Sequence, residues 1–177
     1  AAGGRAREVG RLNPRGGGGA GGWCMSEQPD EQERAGGIPS LGPTRDETSR
    51  RVAQQYETNP YPRWTSVALP RDGGMRRSLA RFVEAEQLRF MDRPFEVLIA
   101  GCGTGQSAIR AALAYGPNAR VLGLDLSTAS LGYASRMAEH FGANNLDFVQ
   151  GDILQLEAAP QFLSRFGIIE CTGVLHH

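Results

Sequence analysis

Phe95-Glu96-Val97-Leu98-Ile99-Ala100-Gly101-Cys102-Gly103-Thr104-Gly105 passes from a short apolar run straight into glycines at every second position. A run of that length, closed by glycine, reads as a buried strand, and the glycines mark a tight turn that a ligand can approach closely. Downstream the pattern repeats. Gln106 to Tyr115 has helical periodicity, Arg120-Val121-Leu122-Gly123-Leu124-Asp125 reads as a second strand, and Ser127 to Phe141 as a second helix. Asp147-Phe148-Val149-Gln150 is a short third strand and Phe166-Gly167-Ile168-Ile169-Glu170-Cys171 a fourth. Strands alternating with helices specify an α/β, Rossmann-like doubly wound parallel sheet covered on both faces.

Upstream of this unit the signals weaken. Val52, Ala53 and Tyr56 fall at helical spacing behind an acidic start, so a helix is expected over Asp46–Tyr56. Asn59-Pro60-Tyr61-Pro62 ends it, because two prolines remove donors and push the residues before them into extended geometry. A further helix is expected from Ser78 to Phe90, with Leu79, Phe82, Val83, Ala85 and Leu88 on one face. Residues 1–43 are rich in Gly, Arg and Pro and carry no hydrophobic period, so they read as a disordered tail and linker. Met25 within it looks like a natural start. The chain then divides into that tail, a helical cap segment over 44–94, and the sheet unit over 95–177.

The 177 residues carry 19 basic and 19 acidic side chains, so no charge excess points to a nucleic acid or a membrane surface. No apolar run approaches the ~20 residues of a membrane helix, and the N-terminus lacks the apolar stretch of a secretory signal, which makes the cytoplasm the expected compartment. Cys24, Cys102 and Cys171 are far apart, with no C-x-x-C, so neither a disulfide framework nor a zinc cluster is indicated. Every basic residue is Arg, which excludes lysine Schiff-base chemistry and a P-loop lysine.

Open parallel sheets bind ligands beyond the carboxyl ends of their strands, where strand order reverses. After the first strand stand Gly101, Gly103 and Gly105; after the second, Asp125, a carboxylate able to accept from two ribose hydroxyls; after the third, Gly151-Asp152-Ile153, an acceptor for an adenine amino group beside an apolar wall. In register these outline a nucleoside site. Dinucleotide folds use G-x-G-x-x-G, but here the third glycine of that pattern is replaced by Gln106 and the order is G-x-G-x-G.

Val97-Leu98-Ile99-Ala100-Gly101-Cys102-Gly103-Thr104-Gly105 resembles the first motif of the class I S-adenosylmethionine-dependent methyltransferases. Val121-Leu122-Gly123-Leu124-Asp125-Leu126-Ser127 is similar to their second and Gln150-Gly151-Asp152-Ile153 to their third. The segment from Phe166 to His177 resembles the fourth-strand region of small-molecule members. Gln55-Tyr56-Glu57-Thr58-Asn59-Pro60-Tyr61-Pro62-Arg63-Trp64 looks like a stretch that precedes the domain in a bacterial subgroup, some of whose members also carry tetratricopeptide repeats; none occurs here. Two positions depart from the family pattern: Ile99 and Gly167 stand where members usually carry acids. The family fold has seven strands in the order 3-2-1-4-5-7-6, so the resemblance implies the N-terminal half of the domain, with the fourth strand exposed as an edge open to self-association.

The resemblance further implies S-adenosyl-L-methionine as cofactor and methyl transfer to a small-molecule acceptor. Carried over by motif, Gly101, Gly103 and Gly105 face the methionine part, Asp125 the ribose, Leu126 and Ile153 the adenine faces and Asp152 its amino group, while Cys171 and Thr172 lie near the methyl. His176 is a candidate general base, and Glu170, inside an apolar strand, needs a partner. Nothing resembles the Asn/Asp-Pro-Pro-Tyr/Phe segment of nucleobase and glutamine methylators. The alternatives are a non-catalytic nucleoside-binding module, an NAD-linked oxidoreductase, and aminopropyl transfer from the decarboxylated cofactor.

Overall fold

The computed structural model describes residues 29–68 and 74–174. Four strands, β1 (Phe95–Ala100), β2 (Ala119–Asp125), β3 (Leu146–Gln150) and β4 (Ile168–Cys171), form one parallel sheet in the order β3-β2-β1-β4. Val97 sits opposite Val121 on one side and Ile168 on the other, and this register brings Ala100, Leu124 and Cys171 level at the carboxyl edge.

The remaining elements are α1 (Pro29–Gly36), α2 (Glu47–Thr58), α3 (Gly74–Leu79), α4 (Gln106–Tyr115) and α5 (Thr128–Phe141), with 3-10 turns at Ala85–Asp92, Ile153–Ala158 and Pro160–Phe162. Helices α4 and α5 connect strands that step in the same direction, so right-handed crossovers place both on one face. There Val97, Ile99 and Val121 pack against Ile109, Ala112, Leu131 and Ala134. The connection from β3 to β4 runs back past β2 and β1 and lies on the other face. That face is covered more thinly: Leu98, Ala100, Leu124 and Val149 meet Leu41, Ile153, Leu156 and Phe166. The two faces are therefore covered unequally, and the second by turns rather than by regular α-helix. At the edge, Ile169 of β4 is 62% exposed.

Two upstream expectations need correction. Residues 29–43, read as part of a disordered tail and linker, are ordered: α1 lies against α5, close enough that a Cβ on Gly132 would collide with the Glu31 carbonyl. Its central contact is ionic, not apolar. The Glu31 carboxylate is 3% exposed and meets Arg63 Nη2 and Arg136 Nε at 3.0 Å each, while both guanidinium groups lie 5.0 Å from the centre of the Tyr133 ring. Beyond α1, Gln150 N–H donates to the Pro39 carbonyl and Leu41 N–H to the Gln150 carbonyl, both at 2.8 Å, laying residues 39–41 along β3. The continuous helix expected over 78–90 is divided instead. Helix α3 ends at Leu79, the Glu84 N–H turns back onto Gln87 Oε1 at 3.1 Å, and a 3-10 segment begins at Ala85. Phe82 is left 85% exposed, and the buried positions are Leu88 and Met91. Residues 1–28, with the tail, Met25 and Cys24, lie outside the described residues.

Candidate functional site

Past Ala100 the chain leaves β1 and turns back on itself. Gly101 and Cys102 both donate their N–H groups to the Leu124 carbonyl, at 2.8 and 3.0 Å, which ties the glycine loop to the end of β2. The three glycines have positive φ values of 72°, 53° and 86°, a region that costs residues with a Cβ. Their surroundings differ. At Gly101 a Cβ would collide with Val174, and at Gly103 it would meet nothing within 4 Å. At Gly105 it would lie 2.5 Å from the Ala134 Cβ. Gly101 and Gly103 line the cavity above the sheet; Gly105 does not, and its role is to let the start of α4 approach α5.

Asp125 ends β2 and is half-buried. Its Oδ2 accepts from Gly103 N–H at 2.7 Å and its Oδ1 from Ser127 N–H at 3.0 Å. One bond orders the glycine loop and the other the entry to α5. Burial pushes the Asp125 carboxyl above the ordinary carboxylate value, opposed by the N–H groups of Ser127, Gly103 and Leu126 and reinforced by the nearby Glu57 charge. Glu57, at the end of α2, accepts from Ser127 Oγ at 2.9 Å, Thr128 Oγ1 at 2.6 Å and Ala129 N–H at 3.2 Å. A carboxylate at the N-terminus of α5 is favourable in itself, and here it also latches α2 onto the site.

After β3, Asp152 is 4% exposed and its Oδ1 accepts from Leu154 N–H at 3.0 Å, capping the following 3-10 turn. Leu126, Asp152 and Ile153 line the cavity beside Asp125. After β4, Thr172 and Val174 line it, but Cys171 does not: its side chain packs with Leu98, Ala100, Leu124 and Val149 beneath the floor. Strand alternation gives the reason, since neighbours in β4 face opposite ways. Glu170 has the partner that its position demands. Tyr115 Oη donates to it at 2.8 Å and Arg110 lies at 3.8 Å, away from the cavity lining. His176 falls outside the described residues.

The cavity encloses about 720 Å³, within the range of small-molecule sites. Its far wall comes from a segment to which no binding role attached in the sequence: Thr48, Ser49, Val52 and Tyr56 of α2, then Tyr61 and Pro62. That wall is anchored to the glycine loop. Thr104 Oγ1 donates to the Pro62 carbonyl at 2.6 Å, Trp64 Nε1 donates to the Thr104 carbonyl at 3.0 Å, and Gln106 Nε2 donates to the Ser66 carbonyl at 3.0 Å. The Trp64 ring stacks on Phe141 at 5.7 Å between centres, and the Tyr133 hydroxyl donates to the Trp64 carbonyl. In the sequence this wall shows as the helix expected over Asp46–Tyr56, the proline pair about Tyr61 and the family-like stretch Gln55–Trp64, none of which by itself marks a binding surface. With Ile99 buried in the main core, where family members carry an acid, the loop takes its order from Asp125 and from this anchor. Glycine at 167 is likewise explained, because a Cβ there would lie 2.9 Å from the Phe90 ring.

Among the described residues the charged side chains lining the cavity are Asp46, Asp125 and Asp152, with no arginine. No described group of His, Cys, Asp and Glu is placed to hold a metal ion, and no described helix is long and apolar enough to cross a membrane. Burial, and then the Asp125 charge, push the Cys102 thiol well up.

Residues 92–177 match the family model described as a methyltransferase domain. A probable cobalt-precorrin-6B C(15)-methyltransferase (decarboxylating) of Saccharolobus solfataricus is 37% identical over 70 residues, spanning 39% of this chain and 32% of that one. An uncharacterized protein of Synechococcus sp. is 36% identical over 88 residues, 49% of this chain and 20% of its own. The chain thus spans between a fifth and a third of these curated relatives. Among solved structures, TrmN from Thermus thermophilus is 30% identical with a TM-score of 0.35, over 44% of this chain and 23% of that one. The family match begins just before β1 and takes in every strand-end residue of the cavity, so that residues 92–177 are similar to a methyltransferase domain.

Proposed function

We propose that the cavity binds S-adenosylmethionine and that the protein transfers its methyl group to a small-molecule acceptor. The observation that carries this reading is the convergence of Asp125, Leu126, Asp152, Ile153, Gly101 and Gly103 on one cavity whose charged side chains, among the described residues, are all acidic. That lining suits a ligand of net positive charge. Room for the ligand is visible at Gly103, where the loop leaves open space on the side a Cβ would occupy.

Asp125 has one acceptor position on each oxygen already taken by a backbone N–H, which leaves its remaining lone pairs for a vicinal pair of hydroxyls. Leu126 and Ile153 supply apolar surface for a base, and Asp152 an acceptor for its amino group. When bound, the sulfonium supplies an activated methyl: the acceptor's lone pair forms the new bond to carbon, the carbon–sulfur pair returns to sulfur, and the acceptor's proton passes to water. The protein's work is then to align donor and acceptor, an effect that supplies ~7–11 kcal/mol when the geometry is right. Calorimetric titration with S-adenosylhomocysteine and, separately, with NAD tests the reading. Binding of S-adenosylhomocysteine without NAD is expected; binding of NAD alone overturns it.

A further inference from the structure

We propose that Glu57 is a positioning residue for the cavity's ligand: from α2 it holds Ser127 and the first turn of α5 and, through the Ser127 backbone, sets the direction in which the Asp125 carboxylate faces. This rests on the reading of Asp125 as the group that receives the ribose of S-adenosylmethionine.

Two observations set Glu57 apart within α2. Thr48, Ser49, Val52 and Tyr56 line the cavity, whereas Glu57, the next residue, does not. The helix buries none of its side chains, yet the exposed Glu57 carboxylate accepts three bonds from α5, at 2.9 Å from Ser127 Oγ, 2.6 Å from Thr128 Oγ1 and 3.2 Å from Ala129 N–H. Fixing a glutamate costs side-chain entropy, and three donors from consecutive residues converging on one carboxylate offset that cost.

Ser127 is where this contact reaches the ligand site. It is fully buried, its Oγ accepts from Ser130 N–H at 3.1 Å, and the same hydroxyl donates to Glu57. Its own N–H donates to Asp125 Oδ1 at 3.0 Å while Gly103 N–H holds Oδ2 at 2.7 Å. These two N–H groups orient the carboxylate and thereby decide which lone pairs remain for ribose hydroxyls. Without Glu57 the Ser127 hydroxyl loses its acceptor and the first turn of α5 loses its anion, which frees the Ser127 N–H to shift. Hydrogen bonds weaken steeply with angle, so a small turn there is felt at Asp125.

Charge gives the arrangement a signature. Among the described residues, Asp125 has Glu57 near it from α2 and the Cys102 thiol from the glycine loop, and the other titratable groups of the cavity lining are Asp46, Tyr56, Tyr61 and Asp152. The Glu57 charge pushes the Asp125 carboxyl up, in the same direction as burial. Removing that charge while keeping the bonds therefore lowers the pH at which Asp125 takes up its proton. Glutamine meets that condition: its Oε1 still accepts from Ser127 Oγ and Ala129 N–H, and its NH2 donates to the Thr128 hydroxyl, which accepts as readily as it donates.

The test uses the full chain with S-adenosylhomocysteine as probe. Glu57→Ala is expected to weaken binding at neutral pH by roughly five-fold or more, with an unchanged far-UV spectrum and urea slope verifying the fold. Glu57→Gln is expected to restore affinity to within about two-fold. In the ligand-free protein at low ionic strength, where charges are least screened, NMR of the Asp125 carboxyl carbon is expected to show a titration in Glu57→Gln lower than wild type by about 0.3 or more on the pH scale. The acid fall of S-adenosylhomocysteine affinity moves down with it; a merely structural contact would leave both in place. Affinity of Glu57→Ala within two-fold of wild type, a Glu57→Gln as weak as Glu57→Ala, or an Asp125 titration that stays or moves up each overturns the inference. Failure of the wild-type chain to bind S-adenosylhomocysteine overturns the underlying reading, and this inference with it, even where the Asp125 titration shifts.

Discussion

Asp125 joins two tasks, and replacing it separates them. In Asp125→Asn the side chain keeps one acceptor, but its NH2 must face either Gly103 N–H or Ser127 N–H, donor against donor. An N–H left without a partner in a buried site costs about 1–3 kcal/mol; this carboxylate is open to the cavity on one side, so water relieves part of that and the lower end applies. Loss of the ionised carboxylate, which burial disfavours, offsets the cost further. The stability change is therefore expected at roughly 1 kcal/mol, a modest drop in the urea midpoint without a change in slope. Ligand binding responds more strongly. Hydrogen bonds to a charged group are worth about 1.5–3 kcal/mol, so S-adenosylhomocysteine affinity is expected to fall roughly 10- to 150-fold. Calorimetry and urea denaturation on the same preparation separate the two effects. Affinity within two-fold of wild type would refute the assignment of Asp125 to the ribose, and a loss of several kcal/mol of stability with proportionate loss of binding would reduce it to a structural role.

Three more outcomes follow from the same geometry. Because burial raises the Asp125 carboxyl and binding uses its ionised form, S-adenosylhomocysteine affinity should be full at neutral pH and fall as pH drops through a value above that of an ordinary aspartate, while Asp125→Asn titrates flat over that span; equal acid dependence in both would refute it. Trp64→Phe leaves the buried Thr104 carbonyl without its indole partner and should lower stability by about 1–3 kcal/mol, read as a shifted urea midpoint. Gly105→Ala should lower the melting temperature, since its Cβ would lie 2.5 Å from Ala134, whereas Gly103→Ala meets open space and should chiefly weaken ligand binding; the reverse ranking would mean that the two glycines are assigned the wrong way round.

What was legible in the sequence shares one property: its cause is local. The apolar run of β1, the glycine turn and the period of α4 specify themselves within a few residues, and the observed bounds Phe95–Ala100 and Gln106–Tyr115 coincide with those expected. Strand ends then place Asp125, Asp152 and Ile153 without further information. The failures have distant causes. Helix α1 is short and charged, and what buries it is Glu31 meeting Arg63 and Arg136, residues 32 and 105 positions away, so no window of sequence reveals the triad. Leu79, Phe82 and Val83 have helical spacing, but of the three only Leu79 packs against the core, and Phe82 stays in solvent. Cys171 was assigned by motif, and strand alternation turned it under the floor.

The wall formed by α2 and the Tyr61 segment shows why a binding surface can be harder to read than a core. Thr104, Tyr133, Gln106 and Gln155 hold that segment, and each donates to a backbone carbonyl: those of Pro62, Trp64, Ser66 and Pro43. A carbonyl acceptor is the same whichever residue carries it, so these four bonds constrain the donors, and the segment's own anchoring side chains, Glu57, Arg63 and Trp64, are not among the residues lining the cavity. The side chains of α2 and Tyr61 that face the cavity are thereby released from any part in anchoring it. Positions 48, 49, 52, 56 and 61 can change in size and polarity while the segment stays in place, and the cavity would then accept a different molecule on an unchanged scaffold. Substitution at Val52 or Tyr61 should accordingly alter ligand affinity without altering the melting temperature, whereas substitution at Thr104 should alter both.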